Sequence, residues 1–506
     1  MKSKIINLSE LSKIIAGLKS NGKSIVHCHG VFDLLHIGHI KHFEEAKAFG
    51  DVLIVSVTPD QYVNKGPGRP AFTTLLRLEA LAALQNIDFV VSNNWPTATE
   101  IIQIIKPNIY VKGPDYKDKS NDLTGKISEE EESVYSIGGK VKYTNDISFS
   151  SSSLLNMYGD IYSQEQSSFV QKLAHKYEFE KIKSSIEEFN KLRVLVVGET
   201  IIDQYVFCEA LGKSGKEPVL VLRDLETQEY LGGVLAIARH LSDFCEQVSV
   251  LSFLGENREY ESFIQDGIEK NIKLNFLTKS KSPTILKRRF VDDIDQKKIL
   301  GVYSINDNFL TESEENEFLG AIDSLAEKND LVIVSDYGHG IISPRIAEHI
   351  SNMDKFISLN AQVNAANIGT HNIRKYHDIN SLIINANELR HEMRQRDGNL
   401  EELAVKIKKI VNAKNITVTQ GKDGAFLIDD NQEEIKCPGF ASKVVDKVGS
   451  GDALLAILSI GIFNKMDDEL ALFIASIAAA QSVETIGNSF PVSKLKLLKT
   501  ISHSLK

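Results

Sequence analysis

Short apolar runs alternate with longer segments of helical periodicity along the first part of the chain. The apolar runs predict buried strands at 24–27, 52–57, 89–91, 109–112 and 140–143. Between them, segments such as 39–49 and 75–84 carry apolar residues at the spacing of amphipathic helices, and residues 1–18 are predicted to form another. Strands that alternate with helices are typical of βαβ units, so an α/β domain with a parallel sheet is predicted for residues 1–155.

The pattern changes between residues 156 and 191, which are polar and of helical periodicity. We interpret this stretch as a helical linker. A new apolar run at 194–197 then opens a second series of alternating strands and helices that continues to residue 506. The sequence therefore predicts a second α/β domain over residues 192–506.

Composition narrows the possible classes of protein. The chain has 506 residues, 42% of them hydrophobic and 25% charged, which is typical of soluble globular domains. Its net charge of -10 argues against a nucleic-acid partner. The four cysteines have no paired spacing, which indicates a reducing compartment and neither a disulfide framework nor a zinc cage. With no signal-peptide core and no apolar run of about 18 residues, we expect a cytoplasmic protein without a membrane partner.

The first candidate site follows the apolar run at 24–26. Gly30 opens a loop that leads to His36 and His39, where a helix is predicted to begin. Residues three apart share one helix face, and a helix N-terminus attracts phosphate through its free N–H groups. Because histidines are crowded between residues 27 and 42, a zinc site and ordinary surface histidines remain as alternatives.

The sequence His-Ile-Gly-His resembles the HxGH signature of the cytidylyltransferase-like nucleotidyltransferases. The resemblance implies a Rossmann-like domain in which the two histidines hold a nucleoside triphosphate while a phosphate oxygen attacks its α-phosphorus. Further residues match positions that handle nucleotide or phosphate in that family: Gly30, Phe32, Lys65, Arg77, Lys112, Ser150, Ser151 and Ser152. A solvated loop lysine at 65 and a surface arginine at 77 remain as alternatives.

The second candidate site lies near the C-terminus. Gly449, Ser450 and Gly451 precede an apolar helical run, and Asp452 stands just inside that run. Glycines at a helix start let the backbone wrap closely around an anion, and an Asp there can act as a general base toward a sugar hydroxyl. A glycine turn followed by an Asp helix cap is also common, so the motif by itself is weak.

Other segments in the second half resemble, in family order, motifs of the ribokinase (PfkB) carbohydrate kinases. They are 197–203, 231–233, 335–340, 385–388 and 418–424. The resemblance implies a ribokinase-like α/β domain with a small β lid. It makes Asp452 the catalytic base, places the anion hole at Gly449, Ser450 and Gly451, and gives Glu388 the organisation of Mg²⁺ through water.

The same resemblance assigns the remaining contacts. Sugar binding falls to Asp203, Gly232 and Gly233, and nucleotide or phosphate binding falls to Asn385, Thr419, Gly421 and Gly424. Arg288, or its neighbour Arg289, is a candidate for a second phosphate on the substrate, with a basic solvated strand edge as the alternative. The chain departs from the family at Glu199, where an Asp is usual, and at Ala236, where an Asn is usual.

Together the two halves resemble the bifunctional heptose-phosphate kinases and nucleotidyltransferases of ADP-heptose synthesis, in reversed domain order. The resemblance implies an enzyme that uses ATP and Mg²⁺ to phosphorylate a sugar phosphate, such as heptose 7-phosphate at O1. It would then join a nucleotide to the sugar 1-phosphate and release pyrophosphate. A homodimer is expected. The alternative is a nucleotidyltransferase whose kinase-like half only senses sugar or mediates oligomerisation.

Overall fold

The computed structural model describes residues 4–63, 69–113, 126–144, 162–363, 367, 369 and 372–505. The chain divides into two compact units, one formed by residues 1–163 with 498–506 and the other by residues 164–497. None of the described helices is long and apolar enough to cross a membrane.

The first unit is a parallel sheet with helices on both faces. Its strands are β1 (Ile5–Ile6), β2 (Ile25–Gly30), β3 (Val52–Val57), β4 (Phe89–Ser92), β5 (Ile109–Lys112) and β6 (Lys140–Tyr143). Its helices are α1 (Leu8–Ser20), α2 (Ile37–Ala48), α3 (Thr74–Ala82), α4 (Thr99–Ile105) and α5 (Lys126–Ser136). The predicted α/β class and parallel sheet are confirmed.

The strand order in this sheet is β1-β4-β3-β2-β5-β6, and all of the neighbouring strands are parallel. The chain leaves β2 toward β3 on one side and later returns to β5 on the other, so the strand order reverses between β2 and β5. Ligands of open α/β sheets bind in the crevice beyond the carboxyl ends of the strands at such a point. The loop with His36 and His39 leaves β2 there.

Alternating side chains of the strands divide the core of the first unit into two layers. Val26 and Cys28 of β2 pack with Phe43 of α2 on one face, whereas Ile25 packs with α1 and α4 on the other. The sequence of a strand that is buried on both faces is a continuous run of apolar residues. This double burial explains why the runs at 52–57 and 109–112 coincide with β3 and β5. The strand predicted at 140–143 is present as β6, but its predicted burial is wrong, because β6 lies at the sheet edge and its residues are exposed or half-buried.

The N-terminal segment differs from its prediction. Residues 5 and 6 form β1, which pairs with β4 in parallel, and the helix begins only at Leu8. Apolar residues in this segment fit the helical pattern, but the open edge of β4 binds the first two of them as a strand.

The second unit is larger and contains two sheets. Its strands are β7 (Arg193–Gly198), β8 (Thr200–Lys213), β9 (Leu220–Gly233), β10 (Gln247–Gly255), β11 (Ile272–Lys279), β12 (Ile285–Asp292), β13 (Lys298–Ser304), β14 (Leu331–Asp336), β15 (Phe356–Ala361), β16 (Ser381–Asn385), β17 (Asn415–Thr419), β18 (Ala425–Ile428) and β19 (Glu434–Cys437).

Helices cover the large sheet of this unit on both faces. They are α6 (Gln164–Lys176), α7 (Phe179–Glu187), α8 (Val234–Ser242), α9 (Glu261–Gly267), α10 (Glu312–Ala326), α11 (Pro344–Ser351), α12 (Ala386–Glu392), α13 (Leu400–Ile410), α14 (Ser450–Phe463) and α15 (Asp468–Ser482). The last helix, α16 (Lys494–Ser504), begins in this unit, and its residues from 498 onward group with the first. The predicted linker thus contains α6 and α7. Phe169 of α6 packs on Phe440 and Phe473 of the second unit, and Lys176 pairs with Asp467 there.

The large sheet has the order β11-β10-β7-β14-β15-β16-β17-β18-β19 and is parallel from β11 through β17. Its last two strands are antiparallel. The small sheet, β13-β12-β8-β9, is the predicted lid sheet. Because β8 follows β7 after a single residue and β9 leads straight into α8, both ends of the lid hairpin start at the carboxyl edge of the large sheet.

Candidate functional sites

The first site begins where α2 starts. His36 is the N-cap residue of this helix, and its Nδ1 accepts a hydrogen bond of 3.1 Å from the backbone N–H of Gly38. His39 lies one turn further, and the centroids of the two imidazole rings are 4.0 Å apart. The two rings therefore stand side by side at a helix N-terminus, where the helix dipole favours an anion.

The Phe32 ring packs against one of these two histidines. Its φ angle of 49° turns the loop sharply, and its buried ring packs edge-on against His39 with a centroid distance of 5.6 Å. A Cβ at Gly30 would come within 2.9 Å of the Phe32 ring, so glycine leaves room for it. The Phe32 side chain therefore holds His39 in place.

Arg77 is the most completely bonded side chain of this site. Its guanidinium donates from Nε to Phe72 O (2.9 Å), from Nη1 to Val31 O (2.6 Å) and Thr58 O (2.9 Å), and from Nη2 to Asp60 (2.6 Å) and Thr74 (3.2 Å).

A guanidinium has five N–H donors, and these contacts use them all. The surface alternative for Arg77 is wrong, since the side chain is buried. With no donor left for a phosphate, Arg77 instead ties the loop after β2 to the loop after β3.

Lys112 lies at the end of β5, the strand that pairs with β2. Its ammonium pairs with Glu130 at 2.6 Å, and both side chains are almost fully buried. Burial, and then the Lys112 charge, lower the pKa of His29 to about 3 and that of His42 to about 4. These histidines stay neutral, and the Lys112 charge, although paired with Glu130, lies within electrostatic range of both.

The zinc alternative finds no support in the described residues. His27 and His29 both bond to the Ser56 hydroxyl, at 2.7 and 2.8 Å, and His42 bonds to Thr144 at 3.0 Å. No group of three His, Cys, Asp or Glu side chains that could hold a metal occurs in the part of the chain that the structure describes. The predicted Lys65, Ser150, Ser151 and Ser152 lie outside the described residues.

The second site centres on Asp452 in the first turn of α14. The Tyr337 hydroxyl donates a hydrogen bond of 2.9 Å to Asp452 Oδ1. Burial raises the pKa of Asp452 to about 6, the nearby Asp203 charge raises it further, and the Tyr337 bond and Lys287 oppose this shift. A buried carboxylate with such a pKa is suited to accept a proton from a substrate hydroxyl at neutral pH.

Glu199 fixes the turn that carries Tyr337. Its carboxylate accepts the backbone N–H groups of Tyr337 (2.9 Å) and His339 (3.0 Å). Burial and the neighbouring Asp336 raise the pKa of Glu199. The departure from Asp to Glu at this position thus has a structural reason, because the longer side chain reaches two N–H groups of the turn after β14.

Gly449 and Gly232 lie where another side chain approaches the backbone closely. Gly449 has a φ angle of 89°, and a Cβ there would lie 1.9 Å from Asn488 Oδ1. A Cβ at Gly232 would lie 2.4 Å from Asp203 Oδ2. Neither position tolerates a larger residue without displacement. The N–H groups of Ser450 and Gly451 in the first turn of α14 have no partner within the helix, which leaves them suited to an anion.

The lid strand β12 presents charged side chains on alternate faces. Lys287 pairs in register with Asp203 of β8, and Arg289 donates a hydrogen bond to Asp203. Arg288 points to the opposite face, where its Nε bonds to Gln204. The structure therefore does not bring the predicted Arg288 to Asp452, and it brings Lys287 and Arg289 there instead.

The motif at 385–388 forms a capping box at the start of α12. Asn385 Oδ1 accepts from the backbone N–H of Asn387, and Glu388 accepts from that of Asn385, both at 2.8 Å. Thr419 is the register partner of Asn385 on β17, so both residues end neighbouring strands. Gly421 and Gly424 follow with φ angles of 63° and 87°, in the turn that leads to β18.

Glu388 also lies within electrostatic range of Asp452. Burial raises its pKa to about 7, and the Asp452 charge contributes to this rise. Mg²⁺ is usually held by one or two carboxylates, waters and substrate phosphates, not by a complete protein cage. Glu388 and Asp452 are two neighbouring carboxylates that fit that requirement.

Comparison with known proteins gives matches for both units. The model of the pfkB family carbohydrate kinases matches residues 191–495, and the cytidylyltransferase-like model matches residues 27–157. The bifunctional protein HldE of Aliarcobacter butzleri is 41% identical over 141 residues, which are 27% of this chain and 29% of that protein. HldE of Campylobacter jejuni strain RM1221 is 47% identical over 120 residues, 23% of this chain and 25% of its own length.

The sequence matches to these relatives therefore span less than a third of their length. They fall on the N-terminal domain of this chain. Among solved structures, phosphofructokinase-2 from Escherichia coli in complex with potassium superposes with a TM-score of 0.50 and 12% identity, covering 62% of this chain and all of that one. This likeness concerns the fold of the second unit.

Proposed function

The chain belongs to the pfkB family of carbohydrate kinases and carries a cytidylyltransferase-like domain ahead of the kinase domain, and we propose that it is a bifunctional enzyme of nucleotide-sugar synthesis. Residues 192–506 form the kinase and residues 1–155 the nucleotidyltransferase. The observation that carries the proposal is the buried Asp452 at the start of α14, oriented by Tyr337.

In the kinase reaction, Asp452 accepts the proton of the sugar hydroxyl while the hydroxyl oxygen forms a bond to the γ-phosphorus of ATP. The bond between that phosphorus and the β,γ-bridging oxygen breaks, and ADP leaves. The N–H groups around Gly449, Ser450 and Gly451 stabilise the charge of the transferring phosphoryl group. Asp203, beside Gly232 and Gly233, binds the sugar.

In the nucleotidyl transfer, a phosphate oxygen of the sugar 1-phosphate attacks the α-phosphorus of a nucleoside triphosphate, and pyrophosphate leaves. His36 and His39 hold the triphosphate at the start of α2, and Lys112 adds positive charge. Such a reaction needs positioning and electrostatic stabilisation more than covalent chemistry. Lys65 and Ser150 to Ser152 are proposed to complete this site on the resemblance alone.

Mg²⁺ is proposed to serve both reactions by neutralising phosphate charge. In the kinase site, Glu388 would hold it through water, with Asn385 orienting the Glu388 carboxylate. ATP is the proposed phosphoryl donor, with Thr419, Gly421 and Gly424 near the nucleotide. Heptose 7-phosphate, phosphorylated at O1, is the proposed acceptor.

A kinase-like half without catalysis is not favoured. The elements around Asp452 are intact: its orienting Tyr337, the Glu199 that holds the Tyr337 turn, and the capping box at Glu388. Glu199, at a position where the family usually has Asp, holds the turn that carries Tyr337.

We also propose that the protein is a homodimer that pairs through its lid sheets. The lid exposes apolar side chains on its outer strands, namely Leu220 (55% exposed), Leu225 (50%), Leu300 (53%) and Val302 (45%). They lie on β9 and β13, the two edge strands of the lid sheet, and an edge strand with exposed apolar side chains is a template for pairing with another chain. The proposed small-molecule partners are a sugar phosphate and nucleoside triphosphates.

Mass spectrometry of products tests the proposed function. The purified protein is incubated with heptose 7-phosphate, ATP and Mg²⁺, and in a second tube with a heptose 1-phosphate, pyrophosphatase, Mg²⁺ and ATP, CTP, GTP or UTP in turn. A bisphosphate in the first tube and one nucleotide-linked sugar in the second are expected. Absence of both products, with the protein folded, would contradict the proposal.

A further inference from the structure

We infer that Lys298, on the lid strand β13, is a positioning residue for the anion hole of the kinase site and acts through Asp446. Its ammonium group holds the carboxylate that fixes the backbone around Gly449. The inference rests on the proposed kinase function and goes beyond it, because it links the lid sheet to the geometry of phosphoryl transfer.

Asp446 is a buried carboxylate, 7% exposed, that uses both of its oxygens. Its Oδ1 accepts hydrogen bonds from Lys298 Nζ (2.6 Å) and from the backbone N–H of Val448 (3.2 Å). Its Oδ2 accepts from the Tyr205 hydroxyl (2.5 Å) and from the backbone N–H of Gly487 (3.2 Å). A buried carboxylate needs such partners, and each of them fixes a different segment of the chain to it.

Two of these four contacts come from the lid sheet, since Tyr205 lies on β8 and Lys298 on β13. Lys298 Nζ also lies 5.4 Å from the centroid of the Tyr205 ring. Asp203 precedes Tyr205 by two residues on the same face of β8, and Arg289 bonds to Asp203 and stands 5.5 Å from the Tyr205 ring. The lid residue proposed to bind the sugar and the two that contact Asp446 therefore belong to one cluster.

The other two contacts of Asp446 fix the anion hole. Val448 directly precedes Gly449, the N-cap residue of α14. Gly487 directly precedes Asn488, whose Oδ1 limits the space at Gly449. Asp446 thus holds both the segment that leads into the anion hole and the loop that packs beside it. Because N–H groups stabilise a transferring phosphoryl group only when they point at it, a shift of this backbone lowers the rate of the chemical step.

Lys298 supplies the charge that keeps Asp446 in this position. Burial by itself raises the pKa of Asp446, but the bonds from Lys298 and Tyr205 hold it below its usual value. The carboxylate is therefore ionised at neutral pH. The Lys298 side chain is 39% exposed, so water reaches this edge of the cluster. Without the ammonium group, we expect Asp446 to turn toward that water and release the N–H of Val448.

Steady-state kinetics of the wild-type chain, Lys298→Met and the control Lys297→Met test the inference. Lys297 is the adjacent residue, and its exposed side chain pairs with Asp295 at 2.5 Å in the turn between β12 and β13. For Lys298→Met we expect kcat for phosphorylation of heptose 7-phosphate to fall roughly 10- to 100-fold, with little change in the KM for this acceptor. Lys297→Met should keep both constants.

A rise in the acceptor KM at unchanged kcat would overturn the inference, because the ion pair would then serve only to hold the lid over the acceptor. An unchanged kcat in Lys298→Met, or an equal loss in Lys297→Met, would overturn it as well. Lys298→Arg, which keeps the charge, should recover part of kcat.

A double-mutant cycle checks that Lys298 acts through Asp446. Asp446→Asn should lower kcat at least as much as Lys298→Met does. The variant with both substitutions should be no slower than Asp446→Asn alone, because the two residues share one contact. Losses that multiply would show that Lys298 acts by another route and would refute the inference.

A binding measurement without turnover separates this inference from the kinase proposal. ADP with Mg²⁺ and aluminium fluoride, a mimic of the transferring phosphoryl group, should raise the melting temperature of the wild-type chain and of Lys297→Met more than that of Lys298→Met. This result would support the positioning role even if no sugar were phosphorylated. Equal shifts in all three proteins, or no shift in any, would overturn it whatever the activity.

Discussion

At the scale of single residues, the central feature is a carboxylate that is buried although it must be ionised to act. Asp452 is 7% exposed, and its pKa is raised to about 6. Keeping the ionised Asp452 carboxylate out of water therefore lowers the stability of the fold at neutral pH. Tyr337 reduces that cost with its hydrogen bond and fixes the carboxylate orientation.

We expect Asp452→Asn to stabilise the protein at pH 7. Because the folded pKa lies above the unfolded value, wild-type stability falls as pH rises from about 4 to 6, and the Asn variant lacks this loss. The shift corresponds to a gain of about 3 kcal/mol at most for the variant. Calorimetry at pH 7 and pH 4 measures it. The exposed Asp354→Asn serves as control, and a variant less stable than wild type would contradict the burial argument.

Kinase activity should follow the ionisation of the same group. We expect kcat/KM for the sugar phosphate to fall about tenfold per pH unit below roughly pH 6, because the protonated carboxyl cannot accept the hydroxyl proton. Initial rates between pH 5 and 8, at fixed Mg²⁺ and ATP, give the profile. A flat profile across this range would mean that Asp452 is not the base.

At the scale of secondary structure elements, Arg77 on α3 holds the nucleotidyltransferase loops together. We expect Arg77→Met to lower the unfolding free energy of the first unit by about 2 to 4 kcal/mol, because it leaves the buried Thr58 carbonyl and the part-buried Val31 carbonyl without this donor. Trp95 is the single tryptophan of the chain and lies in this unit, so its fluorescence during urea titration reports the change.

The control for Arg77 is Lys23→Met, which removes an exposed ion pair with Asp51. Such pairs contribute at most about 1 kcal/mol. If the two variants unfolded at the same urea concentration, the loop-tying role of Arg77 would be wrong.

The lid strands give a second prediction at this scale. Leu300→Glu on β13 should convert the proposed homodimer into a monomer, because it places a charge in the exposed apolar surface of the lid. Sedimentation velocity measures the mass. Lys216→Glu, in the exposed turn between β8 and β9, is the control and should leave the mass unchanged. A wild-type protein that sediments as a monomer would refute the dimer.

The sequence predicted those elements whose signal is local. The runs at 52–57 and 109–112 match β3 and β5 because both faces of these strands are buried. The two residues of β1 could not be predicted, since their strand exists only through pairing with β4, over eighty positions away. The i, i+3 spacing of His36 and His39 placed their rings together correctly, because helix geometry is also local.

The candidate site was less predictable where side-chain direction depends on register. Leu-Lys-Arg-Arg-Phe at 286–290 shows basic residues, but only the pairing of β12 with β8 shows that Lys287 and Arg289 face Asp203 and that Arg288 does not. Likewise, the role of Glu199 depends on a turn more than 130 residues later in the chain. Such contacts form only in the folded unit.

At the scale of the whole molecule, each unit carries the groups of one proposed reaction. The kinase groups lie in residues 164–497, and the described nucleotidyltransferase groups lie in residues 1–163. A shared chain raises the local concentration of an intermediate, but two open sites do not by themselves form a channel. Each unit should therefore catalyse its own step when the other is inactivated.

The most direct test assays both half-reactions in the full chain with Asp452→Asn and with His39→Asn. Asp452→Asn should lose ATP-dependent phosphorylation of heptose 7-phosphate by roughly 10²- to 10⁴-fold and keep nucleotidyl transfer to heptose 1-phosphate. His39→Asn should show the reverse, with nucleotidyl transfer reduced about 10²- to 10³-fold. A substitution that abolished both reactions in a folded protein, or neither, would contradict the assignment of one reaction to each unit.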